Sequence, residues 1–325
     1  MNIGIELPQQ YVTQKCAILG VTGSGKSYGA GAIIEEFLKE KIPFVLLDVM
    51  GAHYGLSEKF DVLIYGGSKG HPLDPKAGEL FAEAIFDINS SIIFDVSHWN
   101  DFETQEFIGS FLQKLFNLHS HDKKPRHIFI EEAEVVFPQT GFDSSKQSLL
   151  AGNKIMKRGR SFGLGMTLIT QRPQDVNKKT LSQSQCTFIL HMEGIQELEV
   201  VNKMLRNEPN KVELLDGILK YQTGDCLLYS PAWLKRIEKF RFRKRETYHA
   251  GDTPELGKQI QEPLLRQMQP LVIQTPQQVN ELGMPTSTTD GGEEENKYKE
   301  IVSVNTMMPI AVIFAILTGF ALGWF

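Results

Sequence analysis

Near its start the chain carries Lys15-Cys-Ala-Ile-Leu-Gly-Val-Thr-Gly-Ser-Gly-Lys-Ser27, and no other stretch constrains its fold so tightly. A short apolar run, Cys16 to Leu19, enters a loop that matches G-x-x-x-x-G-K-[ST] at Gly20, Gly25, Lys26 and Ser27. Ala30, Ile33, Ile34, Phe37 and Leu38 then recur at helical spacing. Strand, glycine loop and helix together separate this motif from a chance glycine turn. Glycines let successive backbone N–H groups turn inward, so Gly20, Thr22, Gly23, Ser24 and Gly25 are placed to cradle phosphate oxygens at the positive end of a helix dipole. Lys26 is expected at the β- and γ-phosphates of ATP, and the Ser27 hydroxyl in the shell of Mg²⁺.

The 325 residues leave room for one large α/β domain or two modest ones, and a 41% hydrophobic fraction suits a soluble core. A net charge of −5 gives no global basic footprint, so nucleic-acid contact has to rest on local patches. Cys16, Cys186 and Cys226 form no metal-ligand or C-x-x-C spacing, which predicts reduced structural thiols in a cytosolic compartment. The first residues lack the apolar stretch of a signal peptide.

Further apolar runs read as strands: Phe44 to Asp48, Val62 to Tyr65, Ser91 to Asp95, Arg126 to Ala133, Leu164 to Thr170 and Cys186 to His191. Asn100 with Glu103 predicts a capping box opening a helix that carries Phe107, Phe111, Leu112, Leu115 and Phe116 on one face. Helices are also expected over Ser144 to Arg160 and Ile195 to Arg206, and a hairpin over Ile218 to Ser230 around Thr223-Gly224-Asp225. Strands alternating with helices predict an α/β fold, a mostly parallel sheet covered on both faces.

Asp48 falls at the C-terminal end of its strand, the edge where open α/β sheets bind ligands. Glu131 and Glu132 end another strand; one acid there can hold the Mg²⁺ shell while its neighbour orients or deprotonates the attacking water. Gln171 follows the next strand, where an amide can sense a γ-phosphate or simply open a polar loop. Lys157, Arg158 and Arg160 form either a solvated last helical turn or an arginine finger for a neighbouring subunit. Lys235 to Arg245 holds seven Lys or Arg in eleven residues, which suits DNA phosphates or a solvated strand face.

Taken together, Gly20 to Ser27, Leu47-Asp-Val-Met-Gly51, Phe129-Ile-Glu-Glu-Ala133 and Arg158-Gly-Arg-Ser-Phe-Gly-Leu-Gly-Met-Thr-Leu-Ile-Thr-Gln-Arg-Pro173 resemble the ATPase domain of the HerA/FtsK superfamily. Glu246-Thr-Tyr-His-Ala-Gly-Asp-Thr-Pro254 looks like that group's closing T-x-H…T-P segment. The resemblance implies a RecA-like P-loop NTPase fold over residues 1–258. It also implies a homo-oligomeric ring, with a hexamer as the expected form, that moves DNA at the expense of ATP and works beside a partner nuclease or membrane protein. It assigns Lys26 and Ser27 to phosphate and Mg²⁺, Asp48 to the acid after the second strand, Glu132 to the catalytic carboxylate, Gln171 to the sensor and Arg160 to the trans-acting finger. Glu131 stands where many relatives have Asp, so its metal role is longer-armed. A β-barrel like the one that precedes the ATPase in HerA is not expected within residues 1–14, which are too few to form it. Two other readings stay open: a membrane-coupled ATPase of a conjugation- or secretion-type machine, and a nucleotide-gated assembly or signalling protein.

Residues 259–302 are rich in Gln, Pro and Thr, then Gly and acids, and read as a flexible linker. Residues 303–325 read as a transmembrane helix: nineteen residues from Met307 carry no charge, enough for a helix of about 28 Å. Gly319 and Gly323 form a G-x-x-x-G, Trp324 and Phe325 suit the far interface, and Lys297 and Lys299 precede the segment. The expectation is a single-pass C-terminal anchor with the ATPase on the cytoplasmic side; the alternative is an apolar helix packed on the domain, in a cytoplasmic protein.

Overall fold

Each apolar run bounded by turn residues becomes a short strand, and each amphipathic stretch between them a helix. The computed structural model describes residues 1–249 except Asn89 and Phe142. In chain order these form β1 (Lys15–Leu19), α1 (Lys26–Lys39), β2 (Phe44–Asp48), β3 (Leu63–Gly66), α2 (Gly78–Asp87) and β4 (Ile92–Asp95). There follow α3 (Asp101–His121), β5 (Arg126–Ile130), α4 (Ala133–Val136), α5 (Lys146–Arg158), β6 (Leu164–Thr170), α6 (Lys178–Leu181) and β7 (Cys186–Ile189). The described part closes with α7 (Ile195–Met204), α8 (Lys211–Leu219), β8 (Asp225–Ser230) and β9 (Arg236–Arg241).

One nine-stranded sheet results, in the order β3-β4-β2-β5-β6-β1-β7-β8-β9. Strands β1 to β7 run parallel, and β8 and β9 extend the sheet antiparallel. Side-chain alternation sends each strand's residues to opposite faces. Ile18, Phe44, Leu46, Phe129 and Phe188 meet Ile33, Ile34 and Phe37 of α1 in one core. From the other face Phe94 reaches Phe107 and Phe111 of α3, with ring centroids 4.9 and 5.3 Å apart. Both faces are therefore covered, which is why the parallel strands read as unbroken apolar runs. The capping box at Asn100 and Glu103 is present, and all three cysteines are buried and free.

One expectation fails. Ile218 ends up in α8, and Thr223-Gly224 turns from that helix into β8, so no hairpin spans Ile218 to Ser230. The hairpin lies one element later, between β8 and β9, where Lys235 takes a φ of 54°. The linker expected at 259–302, the helix at 303–325 and the segment after His249 lie outside the described residues. Among the described residues, no helix is long and apolar enough to cross a membrane.

Candidate functional site

The sheet order decides what the phosphate loop faces. With β6 between β1 and β5, register places Thr170 opposite Leu19 and Ile130 opposite Leu168. The loop after β1, Gln171 after β6 and the two glutamates after β5 thus emerge side by side at the C-terminal edge. Gly23 and Gly25 take φ of 77° and 98°, a region closed to most side chains. A Cβ on Gly20 would lie 2.6 Å from Ser24 Oγ and 3.0 Å from Leu190 Cβ, so a side chain there would displace the Ser24 hydroxyl. Ser24 Oγ is turned into the loop and buried, leaving the backbone rather than the hydroxyl to face a ligand. Val21 N–H donates to His191 O at 3.0 Å, and Thr22 Oγ1 donates to Gln171 Oε1 at 2.5 Å. Lys26 is buried and donates to Val21 O at 3.1 Å. Burial lowers its pKa, against the pull of Glu132, Glu131 and Glu134.

The two carboxylates at the end of β5 part company. Glu132 takes φ 43° and ψ 58°, a left-handed conformation costly for a residue with a Cβ and typical of strained functional positions. Burial, together with the Glu134 carboxyl beside it, pushes Glu132 up to about 7. Glu131 is fully buried, which alone would raise it. The charge and hydrogen bond of His53, with the Ser27 and Asp48 side chains adjoining, bring it below the ordinary carboxylate range instead. Asp48, buried next to Glu131, is raised to about 6 even though its oxygens accept from the Met50 and His53 backbone N–H groups at 3.1 and 2.9 Å. A hard cation such as Mg²⁺ takes oxygen ligands. Glu131 Oε2 is buried without a hydrogen-bond partner and the Ser27 hydroxyl adjoins the same carboxylate, so these residues fit that ion.

Three contributors to the site have roles that no local sequence signal gives. His53, wholly buried, sets its Nε2 2.8 Å from Glu131 Oε1. Thr223 Oγ1 donates to Gly23 O at 3.2 Å and Gly224 N–H to Ser24 O at 3.0 Å, so the misread turn braces the phosphate loop. The third is the strap Phe242 to His249, which lies along α1. Gly29 and Gly31 admit it: a Cβ on either would meet Phe242 at 2.7 Å or the Arg245 guanidinium at 2.5 Å. Buried Glu35 holds the strap by accepting from Arg243 Nη1 at 2.7 Å and Thr247 Oγ1 at 2.8 Å.

Arg160 is elsewhere. It is exposed in the turn before β6, and seven strand residues separate that turn from the phosphate loop's edge, roughly 20 Å at the usual rise. Lys157 and Arg158 are exposed at the same end. The basic run from Lys235 is largely occupied within the chain. Arg243 pairs with Glu35 and Glu36, Arg241 and Lys239 with Asp225, and Arg236 with Glu238, while Arg245 lies 3.6 Å from Glu35.

The sequence model of the family described as the central domain of helicase HerA matches residues 1–207. The DNA double-strand break repair helicase HerA of Sulfurisphaera tokodaii is 26% identical over 178 residues, which are 50% of this chain and 34% of that protein. A probable DNA double-strand break repair helicase HerA of Methanocaldococcus jannaschii is 37% identical over 130 residues, 38% and 25% of the two chains. The chain spans about a third or less of the length of these curated relatives. Among solved structures, the bacterial conjugative coupling protein TrwB superposes with a TM-score of 0.57 at 10% identity, over 78% of this chain and 90% of that one. VirB4 of Thermoanaerobacter pseudethanolicus does so with 0.53 at 11% identity, over 71% and 89%. At such identities the likeness is one of fold.

Proposed function

The chain belongs to the HerA helicase central-domain family, and on that premise we propose that it is an ATP-hydrolysing motor that acts on DNA as an oligomeric ring. The observation that carries the hydrolysis is the convergence of Lys26, Glu132 and the Thr22–Gln171 pair on one sheet edge, while DNA and the ring rest on the family. In the proposed reaction the water oxygen attacks the γ-phosphorus, its proton passes to Glu132, and the bond to the β-phosphate oxygen breaks, giving ADP and phosphate. Lys26 neutralises the charge on the transferring group, and Gln171 holds the water or reads the γ-phosphate. Ser27 and Glu131 would hold Mg²⁺, which would supply charge neutralisation at the phosphates when bound. Arg160, remote from its own chain's loop, is the candidate finger for a neighbour's site.

ATP turnover of the purified chain with and without DNA, beside its mass with nucleotide, tests this reading. DNA-stimulated hydrolysis by a species heavier than a monomer supports it; a monomer that turns over no ATP under either condition contradicts it. The charge-free run in residues 303–325 further supports a membrane tether, with the domain on the cytoplasmic side. Deleting 303–325 is then expected to move the protein from the membrane pellet to the soluble fraction with ATP binding unchanged.

A further inference from the structure

Glu131 is held at one oxygen and open at the other. Its Oε1 meets His53 Nε2 at 2.8 Å, whereas Oε2 is buried with no hydrogen-bond partner. His53 has little freedom to leave that contact. Its backbone N–H donates to Asp48 Oδ2 at 2.9 Å, and its ring packs against that of His249, 6.2 Å between centroids. His249 is held in turn by Arg245 Nη1, 3.0 Å from its Nδ1, and the strap carrying both is fastened to Glu35. A buried imidazole thus links the acid after β2, the acid after β5 and the strap.

We propose that His53 is a positioning residue for the phosphate site: by holding Oε1 of Glu131 it fixes the carboxylate so that Oε2 is the oxygen left for the Mg²⁺ that accompanies ATP. The inference rests on the nucleotide-site reading above. Partners that orient a liganding group commonly change metal affinity by about 10- to 100-fold. A different role, His53 as a ligand in its own right, is suggested by the 4.8 Å span of the donor atoms of Asp48, His53 and Glu131. Its Nε2 is already engaged by Glu131; Nδ1 is buried without a hydrogen-bond partner, but a nitrogen donor suits a transition metal better than Mg²⁺.

Titration of the full chain with a fluorescent ATP analogue at increasing Mg²⁺ tests the proposal. His53→Leu fills the space without a hydrogen bond, whereas His53→Gln keeps an N–H near the position of Nε2. His53→Leu is expected to need about 10-fold more Mg²⁺ for half-saturation, His53→Gln to match the wild type, and all three to share one Mg²⁺-free nucleotide affinity. An unchanged Mg²⁺ requirement in a His53→Leu protein that melts normally overturns the proposal, as does equal failure of the Gln variant. If the Leu variant does not fold, His53→Asn takes its place; its amide is too short to reach Oε1, and behaviour equal to His53→Gln overturns the proposal. Zn²⁺ binding without nucleotide that His53→Gln abolishes would make His53 a ligand and overturn it too. Failure of the wild type to bind the analogue at any Mg²⁺ concentration overturns the nucleotide site itself, and this inference with it.

Discussion

The two ends of β5 bury polar groups in opposite ways. At its start His127 is fully buried with both ring nitrogens engaged, Nδ1 2.9 Å from Val12 O and Nε2 2.7 Å from Thr167 Oγ1. Arg126 beside it caps three carbonyls, those of Ser90, Ile85 and Ile88, at 3.0, 2.9 and 2.7 Å, and only its Nε is left without a partner. Burial depresses His127 to about 3 and Arg126 to about 10, so one is neutral and the other charged at neutral pH. At the far end, Glu131 keeps an unpartnered buried oxygen, and Glu132 combines left-handed backbone with a pKa of about 7. What separates the far end is the combination of an unpartnered carboxylate oxygen, left-handed backbone and a carboxyl raised toward neutrality on adjacent residues, the pattern of a place where a ligand completes the structure.

The largest expected effect falls at the far end. Lys26→Ala should abolish hydrolysis, since one ammonium both binds and neutralises the phosphate, and residual turnover near the wild-type rate would remove the loop from the mechanism. Arg160 tests whether the near end is purely structural. As a trans finger, its loss should cost about 10³-fold in turnover with nucleotide affinity retained. Mixing Arg160→Ala with Glu132→Gln should restore some activity at interfaces bearing one intact site. No rescue, with a monomeric mass in every nucleotide state, would return Arg160 to the solvated surface.

Stability should move the other way. Glu132→Gly removes a left-handed side chain worth about 1 kcal/mol of strain, so the variant should melt no lower than wild type while losing hydrolysis. His127→Leu strands Val12 O and leaves Thr167 Oγ1 with only the Tyr11 hydroxyl, at a cost of about 1–3 kcal/mol, with turnover per folded molecule unchanged. Thermal melts beside ATP assays decide both.

A further effect is a pH dependence set at the near end. His127 and His119 are held by burial at about 3 and about 4, below the usual 6.5. Below pH 6.5 the unfolded chain therefore takes up protons that the folded chain refuses, and stability present above that value drains as pH falls toward 4 and 3. Glu132 and Asp48, raised to about 7 and about 6, act in the opposite direction over the same range. The histidine therefore shows in a difference: between pH 7 and 5 the unfolding free energy from urea melts should fall by about 2 kcal/mol more in the wild type than in His127→Leu. Identical profiles for the wild type and His127→Leu would mean that this imidazole is not buried neutral.

Much of this was legible in the chain. The phosphate loop announces itself because glycine spacing and helix onset are local, and Glu131 and Glu132 follow from an apolar run ending in acids. His53 was not legible. It sits in a loop after β2, and only the pairing of β2 with β5 carries it to Glu131, through contacts 78 residues apart. The hairpin misplaced over Thr223-Gly224 has a similar cause. A T-G-D triplet signals a turn, but whether that turn joins two strands or braces a loop 200 residues away is a tertiary fact. The basic run from Lys235 looked solvated or DNA-facing because its partners, Glu35 and Glu36, lie on a distant helix.

The claim that the strained end of β5 performs the chemistry meets its most direct test in one variant. Glu132→Gln keeps size and hydrogen bonding but removes the proton acceptor. ATP binding and single-turnover hydrolysis measured on that variant should show wild-type affinity with hydrolysis slowed by about 10²- to 10⁴-fold. Hydrolysis at the wild-type rate would contradict the account.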